Sequence, residues 1–260
     1  MDSSIFVPES GYRLVIIGAY GGMGKALLKQ CAAFGIKVIG LDREQAREQG
    51  SDLPEHDFFA CDVSSEADVK QTFLDIQAKY GAIDGLINLA GYTGERIPVE
   101  EMSTAEWDGI MNTSVRGMFF IARESIPLLK ASAAEGKKPS MILVSSTFGV
   151  RVPHVGYAPY ATAKAGVINL IRALSTELAP SIRVNGIAPG VIDTPFLSGG
   201  TGRNTKETRL DMERFMATIP LQRVGQPEEI GLPALFLLSE AASYITGQTI
   251  HVNGGTYMAA

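Results

Sequence analysis

Residues 14–25 read Leu14-Val15-Ile16-Ile17-Gly18-Ala19-Tyr20-Gly21-Gly22-Met23-Gly24-Lys25, and their order decides the fold. Four consecutive apolar residues mark a strand buried on both faces, as in a parallel sheet. Glycines follow at once. From Lys25 to Phe34 the residues Leu27, Leu28 and Cys31 then recur at the spacing of a helix core face. Strand, glycine turn and helix, in that order, is the context that a site for dinucleotide phosphates needs. Glycines let the backbone approach a pyrophosphate, and the helix N-terminus offers free N–H groups and the positive end of a dipole. Gly18, Tyr20, Gly21, Gly22, Met23 and Gly24 are the first candidate contacts.

Working outward, the same alternation continues. Lys37–Leu41 reads as a second strand and ends at Asp42, close to the roughly 20-residue spacing expected of an acid that binds ribose hydroxyls. A carboxylate there accepts hydrogen bonds from the 2′ and 3′ hydroxyls and repels a 2′-phosphate, which favours NAD over NADP. Arg43 keeps NADP open, because a guanidinium pairs with a 2′-phosphate; its plain alternative is a solvated side chain near the adenine. A third strand, 57–61, runs into Asp62-Val63. Ser64 or Ser65 then caps a helix over 66–80. A fourth strand, 83–87, leads into Asn88-Leu89-Ala90-Gly91. A loop over 92–103 precedes a long helix over about 104–130, with Pro127 near its end, and a polar connector over 131–140. Further strands are expected at 141–144, 182–188 and 249–252, and further helices at 160–179 and from 226 to about 239. The expectation is an α/β chain: one doubly wound parallel sheet of about seven strands, helices on both faces, residues 1–260 as a single domain. Residues 195–215, polar and glycine-rich, read as a mobile segment beside the substrate.

Composition narrows the function classes. The apolar share, 45%, is enough for a full core, and the net charge of −5 argues against nucleic acid or an anionic membrane as partner. The two cysteines, Cys31 and Cys61, form no CxxC or Cys/His cluster, so neither a disulfide framework nor a metal site is expected, and a reducing compartment fits. No apolar run approaches the ~20 residues needed to span a bilayer. The N-terminus lacks a basic stretch followed by an apolar one. The expectation is a cytoplasmic protein acting on a small molecule.

Chemistry concentrates between 145 and 164. Met141-Ile142-Leu143-Val144 is a short buried-strand pattern that ends at Ser145-Ser146. Tyr160 and Lys164 lie four apart, on one helix face, with Val167, Leu170, Ile171, Leu174 and Leu178 continuing an apolar stripe. Near pH 7 only ~0.1% of a free tyrosine is phenolate. A lysine ammonium one turn away lowers that pKa and makes the phenol a usable acid or base. Ser146, at the facing strand end, is placed to hold a substrate oxygen. Tyr-x-x-x-Lys also occurs by chance on helix surfaces, so the reading depends on the dinucleotide site around it.

Taken together these motifs resemble the classical short-chain dehydrogenase/reductase family over nearly the whole chain. Gly18-x3-Gly22-x-Gly24 is similar to its cofactor loop and Asn88-Leu89-Ala90-Gly91 to its Asn-Asn-Ala-Gly motif. Ser146, Tyr160 and Lys164 match its catalytic residues. Ile187 to Thr194, with Pro189, Gly190 and Val191, resembles the motif that contacts the nicotinamide end. The resemblance implies a Rossmann fold, hydride transfer between a nicotinamide and a carbonyl or alcohol, and a homotetramer of two-fold symmetry. It also implies that Lys164 binds the nicotinamide ribose as well as tuning Tyr160. Asp62, Val63, Asn88, Ala90 and Gly91 join the cofactor contacts on the same ground.

Three positions depart from the family. Ile17 replaces a threonine. Tyr20 replaces a small serine and is expected to pack over the adenosine side. Aligning Trp107-Asp108 and Gly117-Met118-Phe119 places Ser114, not Asn112, where the family has its fourth catalytic residue, an asparagine.

The leading reading is an NAD-dependent oxidoreductase for a secondary alcohol or ketone. The walls expected around the substrate, Tyr92, Phe148, Val152, His154 and Tyr157, are mostly apolar or aromatic and suit a cyclic or bulky compound. The near balance of charge over 199–214 gives no case for an anionic one. The alternatives are an NADPH-dependent 3-oxoacyl-(acyl-carrier-protein)-type reductase and, from another class, a dinucleotide-binding protein without turnover.

Overall fold

The computed structural model describes residues 3–47, 52–198 and 216–258. Its strands are β1 (Arg13–Ile17), β2 (Lys37–Asp42), β3 (Asp57–Ala60), β4 (Gly85–Asn88), β5 (Ser140–Val144), β6 (Arg183–Pro189) and β7 (Thr249–Val252). They form one parallel sheet in the order β3-β2-β1-β4-β5-β6-β7. The chain reverses direction across the sheet between β1 and β4. In such sheets ligands bind beyond the carboxyl ends of the strands at that switch point. Ile17 lies in register with Leu41 on one side and Asn88 on the other, so the ends of β1, β2 and β4 stand level there.

The continuous apolar runs fill both faces of this sheet. Val15 and Ile17 point toward Phe73, Ile76, Met118, Ile121, Val167 and Ile171. Leu14 and Ile16 point toward Leu27, Leu28, Ile230 and Leu235. Helices α2 (Glu66–Tyr80), α4 (Gly117–Ala134) and α5 (Ala158–Leu178) therefore cover one face, and α1 (Gly22–Ala33) and α6 (Glu228–Leu238) the other. Truncating a fully buried residue such as Ile16 to alanine leaves a cavity costing about 2–5 kcal/mol. Ser65, rather than Ser64, caps α2 by accepting the Asp68 N–H. Among the described residues no helix is long and apolar enough to cross a membrane.

The long helix expected over 104–130 is three pieces: α3 (Thr104–Met111), a π-helical turn at Asn112–Arg116, and α4. Gly117, which follows the turn, is held against the β3–α2 loop, where a Cβ would stand 2.7 Å from the Val63 carbonyl. Such turns add a residue to a helix and are frequent at functional sites. Pro127 does not end α4. A proline inside a helix costs ~3 kcal/mol, but Leu128, Leu129 and Ser132 beyond it are buried and hold the last turns down. The helix stops at Ala134, just before Gly136 with φ +82. Of the segment expected to be mobile, Pro195–Ser198 forms a 3-10 turn. Residues 199–215 lie outside the described residues.

Candidate active site

The glycine turn makes the first wall. Helix α1 starts at Gly22, earlier than the apolar spacing suggests, and Gly21 at its N-cap supplies no side-chain cap, so its first N–H groups face the cleft. Gly18 has φ +80, a backbone conformation that favours glycine. A Cβ at Gly22 would meet Thr194 Cγ2 at 2.5 Å, and one at Gly24 would overlap the Gly18 carbonyl. The cleft in front of this turn encloses about 190 Å³ and is lined by Gly18, Gly21, Gly22, Met23, Gly24, Asp42, Arg43, Asp62, Val63, Ala90, Gly91 and Thr194. A cradle of backbone with a carboxylate at its far end fits a dinucleotide.

Asp42 arrives there pre-aimed. One carboxylate oxygen accepts the Tyr20 N–H at 2.9 Å and the other the Arg43 N–H at 2.8 Å, which leaves lone pairs for ribose hydroxyls. Burial raises its pKa, and the two backbone hydrogen bonds counter that rise. Tyr20 does not lie over the adenosine side. It is buried, edge-on to Phe58 at 5.2 Å, with its hydroxyl 3.2 Å from His56 Nε2. His56 Nδ1 sits 2.7 Å from the Pro54 carbonyl, so Nδ1 carries the proton and Nε2 accepts from Tyr20. Packing with these partners from β3 and the loop before it turned the ring inward. At the end of β4, Asn88 Oδ1 accepts the Ala90 N–H at 3.0 Å, while its buried amide nitrogen has no partner among the described residues.

The catalytic candidates meet at the ends of β5 and α5. Ser146, Tyr160 and Lys164 are all buried. Burial pushes the Tyr160 phenol up to about 12, and a hydrogen bond with Ser146 works the other way. The expected lowering by Lys164 is absent, and the reason is geometric. The Lys164 Nζ lies 5.7 Å from the centre of the Tyr160 ring and donates to the Val144 carbonyl at 2.8 Å, and burial depresses its own pKa to about 8. Ser114 lies in the π-helical turn. Its Oγ is buried without a partner among the described residues. A Cβ at Gly91 would stand 3.6 Å from that oxygen and 3.5 Å from Lys164 Nζ, so both groups flank the same glycine.

A second, larger cavity of about 720 Å³ opens beside the phenol and shares Met23, Leu89, Gly91, Thr194 and Phe196 with the first. Phe148, His154 and Tyr157 line it as expected, as do Pro189, Gly190 and Val191. Tyr92 lines the dinucleotide cleft instead, and Val152, 54% exposed, lines neither.

Residues 18–257 match the family described as enoyl-(acyl carrier protein) reductase. The chain belongs to the short-chain dehydrogenase/reductase family. It is therefore an NAD(P)-dependent oxidoreductase acting on CH–OH groups. Among relatives of this dehydrogenase/reductase is the 3-oxoacyl-[acyl-carrier-protein] reductase FabG of Thermotoga maritima. That protein is 34% identical over 93% of this chain and 96% of its own. The Staphylococcus aureus protein of that name is 33% identical over 94% and 97%. A solved structure of Brucella melitensis 3-ketoacyl-(acyl-carrier-protein) reductase complexed with NADH superposes with a TM-score of 0.85 at 32% identity, covering 96% of this chain and 99% of that one. Aldohexose dehydrogenase from Thermoplasma acidophilum gives 0.83 at 27%, covering 96% of each.

In this dehydrogenase/reductase some supporting residues carry little signal in sequence. Ser145 Oγ donates to the Lys164 carbonyl at 2.7 Å and ties the end of β5 to α5. A Cβ at Gly149 would stand 2.9 Å from the same carbonyl, so only glycine lets that turn close on the helix. Asn253 Nδ2 donates to Thr147 Oγ1 at 3.2 Å, and the Gly190 N–H donates to the Val252 carbonyl at 2.9 Å. The C-terminal segment thus braces both the serine loop and the Pro189-Gly190 turn.

Proposed function

We propose that the chain interconverts a 3-oxoacyl and a 3-hydroxyacyl group with NAD(H), using Tyr160 as the acid/base, Ser146 to orient the oxygen and Lys164 with Ser114 to carry the proton onward. The observation that carries the reading is the buried Tyr160–Ser146 pair on the wall of an apolar cavity that shares Met23, Leu89, Gly91, Thr194 and Phe196 with a cleft holding a carboxylate. The relatives named 3-oxoacyl-[acyl-carrier-protein] reductase favour an acyl chain over the cyclic or bulky compound first expected. Phe148, Val155, Tyr157, Phe196 and Leu197 offer an apolar wall suited to such a chain. Asp42 argues for NADH rather than the NADPH of the alternative reading.

NADH held along the Gly18–Gly24 turn, with Asp42 at its ribose, would supply the hydride. The carbonyl oxygen accepts hydrogen bonds from the Ser146 and Tyr160 hydroxyls and gains negative charge as the carbon is reduced. An alkoxide is a far stronger base than a phenolate, so the proton moves from Tyr160 Oη to that oxygen. With a pKa of about 12 the phenol holds its proton at neutral pH until the alkoxide forms. Lys164, at about 8, exists in both protonation states near neutrality and is suited to return a proton to the phenolate. Ser114 Oγ, both donor and acceptor, is suited to hold a water between Lys164 and solvent.

Assembly belongs to the same proposal. Phe119 is 45% exposed on α4, and Val115 and Leu170 are half-buried, in keeping with a homotetramer joined through α4 and α5. The test of function is turnover with NADH and with NADPH across 3-oxoacyl thioesters of increasing length and a set of cyclic ketones. Thioester reduction with NADH at least about tenfold better than with NADPH is expected. Cyclic ketone turnover without thioester turnover would overturn the substrate reading.

A further inference from the structure

We propose that Arg96 and Arg151, at the rim of the large cavity, form a recognition site for an anionic group, a carboxylate or phosphate, carried by the substrate away from its reacting carbonyl. The proposal rests on the substrate reading above for the placement of that carbonyl.

Charge at the cavity wall is one-sided. Its described lining includes Arg96, Arg151, Lys164 and His154 and no aspartate or glutamate, in a chain whose net charge is −5. Lys164 is at the buried floor and engaged with the Val144 carbonyl. The two exposed guanidiniums are at the rim, beside Pro153, His154 and Val155. Other arginines pair with carboxylates: Arg13 with Asp84, Arg123 with Glu66, Arg223 with Glu229. Arg96 and Arg151 form no such pair among the described residues.

Both are nevertheless held in place. The Arg96 guanidinium lies over the Tyr157 ring, 5.1 Å from its centre. Arg151 Nη1 donates to the Thr256 carbonyl. Gly156 has φ +87, and a Cβ there would stand 2.9 Å from Arg96 Cα. The Arg96 backbone therefore packs directly on the turn that leads into α5. Tyr157 packs edge-on against Phe148 at 4.7 Å, and Phe148 against Tyr160 at 6.2 Å. One aromatic wall thus runs from the reacting phenol to the Arg96 guanidinium. A ligand with its carbonyl at Tyr160 and Ser146, and its apolar body along this wall, brings its far end to Arg96, and Arg151 lines the same cavity.

The Arg96 guanidinium stacks on Tyr157 and shares one hydrogen bond with that side chain, and its remaining N–H groups match the two oxygens of a carboxylate or phosphate. Two sources present that chemistry: an acyl chain that ends in a carboxylate, and the phosphate of a pantetheine arm. The near balance of charge over 199–214 makes no case for an anionic substrate; the charge on the described rim does.

The test is binding, which does not depend on turnover. Calorimetry on the NADH-saturated enzyme compares octanoate with octanamide, and 4′-phosphopantetheine with pantetheine, for wild type, Arg96→Gln, Arg151→Gln and Arg96→Lys. In at least one pair the charged member is expected to bind wild type about tenfold tighter or better, from one charge-assisted hydrogen-bonding contact. That preference is expected to shrink with added salt. Each glutamine variant removes most of it and leaves the uncharged member within about twofold, while Arg96→Lys keeps part. The pair that shows the preference identifies the source of the anion. Equal binding of charged and uncharged members in both pairs overturns the proposal. So does a glutamine variant that weakens both members of a pair alike, since that marks a structural role. Failure of the substrate reading is separate: it shows as no thioester turnover, with the charge preference intact.

Discussion

Replacing Ser114 with alanine separates two roles that give opposite results. The hydroxyl is fully buried and has no partner among the described residues. A buried hydroxyl left unpaired costs roughly 1–3 kcal/mol. Were Ser114 only a packing residue, alanine would recover that cost and raise the melting temperature by about 2–4 °C for each kcal/mol. The position of Ser114 Oγ beside Gly91, across from Lys164 Nζ, points to the other role, a hydroxyl that holds a water in the proton path. Alanine then removes the hydrogen bond to that water, leaves the melting temperature unchanged or lower, and lowers turnover by about tenfold, ~1.4 kcal/mol of barrier. Thermal unfolding and steady-state turnover measured on the same preparations decide between them, and a solvent isotope effect that changes with the substitution supports the relay. Ser114→Asn, which installs the residue usual in the family, is expected to be tolerated. A stabilised Ser114→Ala enzyme with unchanged turnover and isotope effect would refute the relay.

Three further outcomes follow from the geometry. Asp42→Ala is expected to shift cofactor preference toward NADP by about tenfold or more, read from kcat/KM with each cofactor, because the carboxylate that repels a 2′-phosphate is gone; an unchanged ratio would show that Asp42 does not select the cofactor. Burial opposes the charge on Asp84, but hydrogen bonds from Arg13, Ser132 and Lys137 outweigh it and hold its pKa at about 2. A depressed carboxylate stabilises the fold above its unfolded pKa of about 3.9 and loses that contribution as pH falls toward 2, on the order of 2 kcal/mol; urea unfolding of wild type and Asp84→Asn across this window should show a larger pH-dependent loss in wild type, and equal losses would refute the assignment. Light scattering at micromolar concentration should give a tetrameric mass, and a monomer would leave Phe119 without the partner assigned to it.

The positions of the strands, and the placing of Tyr160 and Lys164 on one helix near Ser146, were legible because they rest on local pattern. Apolar runs that end in glycine, Asp or Ser mark strand ends, and Tyr160 and Lys164 share a helix face by spacing alone. Features set by distant contacts were not legible. The π-helical turn at Asn112–Arg116 keeps a helical periodicity in sequence, and the approach of Gly117 to the Val63 carbonyl is visible only in the folded chain. Tyr20 turns inward because Phe58 and His56 pack on it from another strand and loop. Lys164 was expected to lower the Tyr160 pKa on spacing alone. Spacing says nothing of the Val144 carbonyl that accepts the Lys164 hydrogen bond, or of the burial that raises the phenol. Arg96 lies in a loop of no clear sequence pattern, and the stacking on Tyr157 brings it to the cavity.

The most direct test of the assignment of Tyr160 is the oxidation of NADH by a 3-oxoacyl thioester, followed by absorbance, for wild type and Tyr160→Phe. The predicted result is steady turnover by wild type and a loss of about a thousandfold in the variant, ~4 kcal/mol of barrier, with the Kd for NADH within about twofold of wild type. A phenylalanine variant that kept more than about a tenth of the turnover would contradict it.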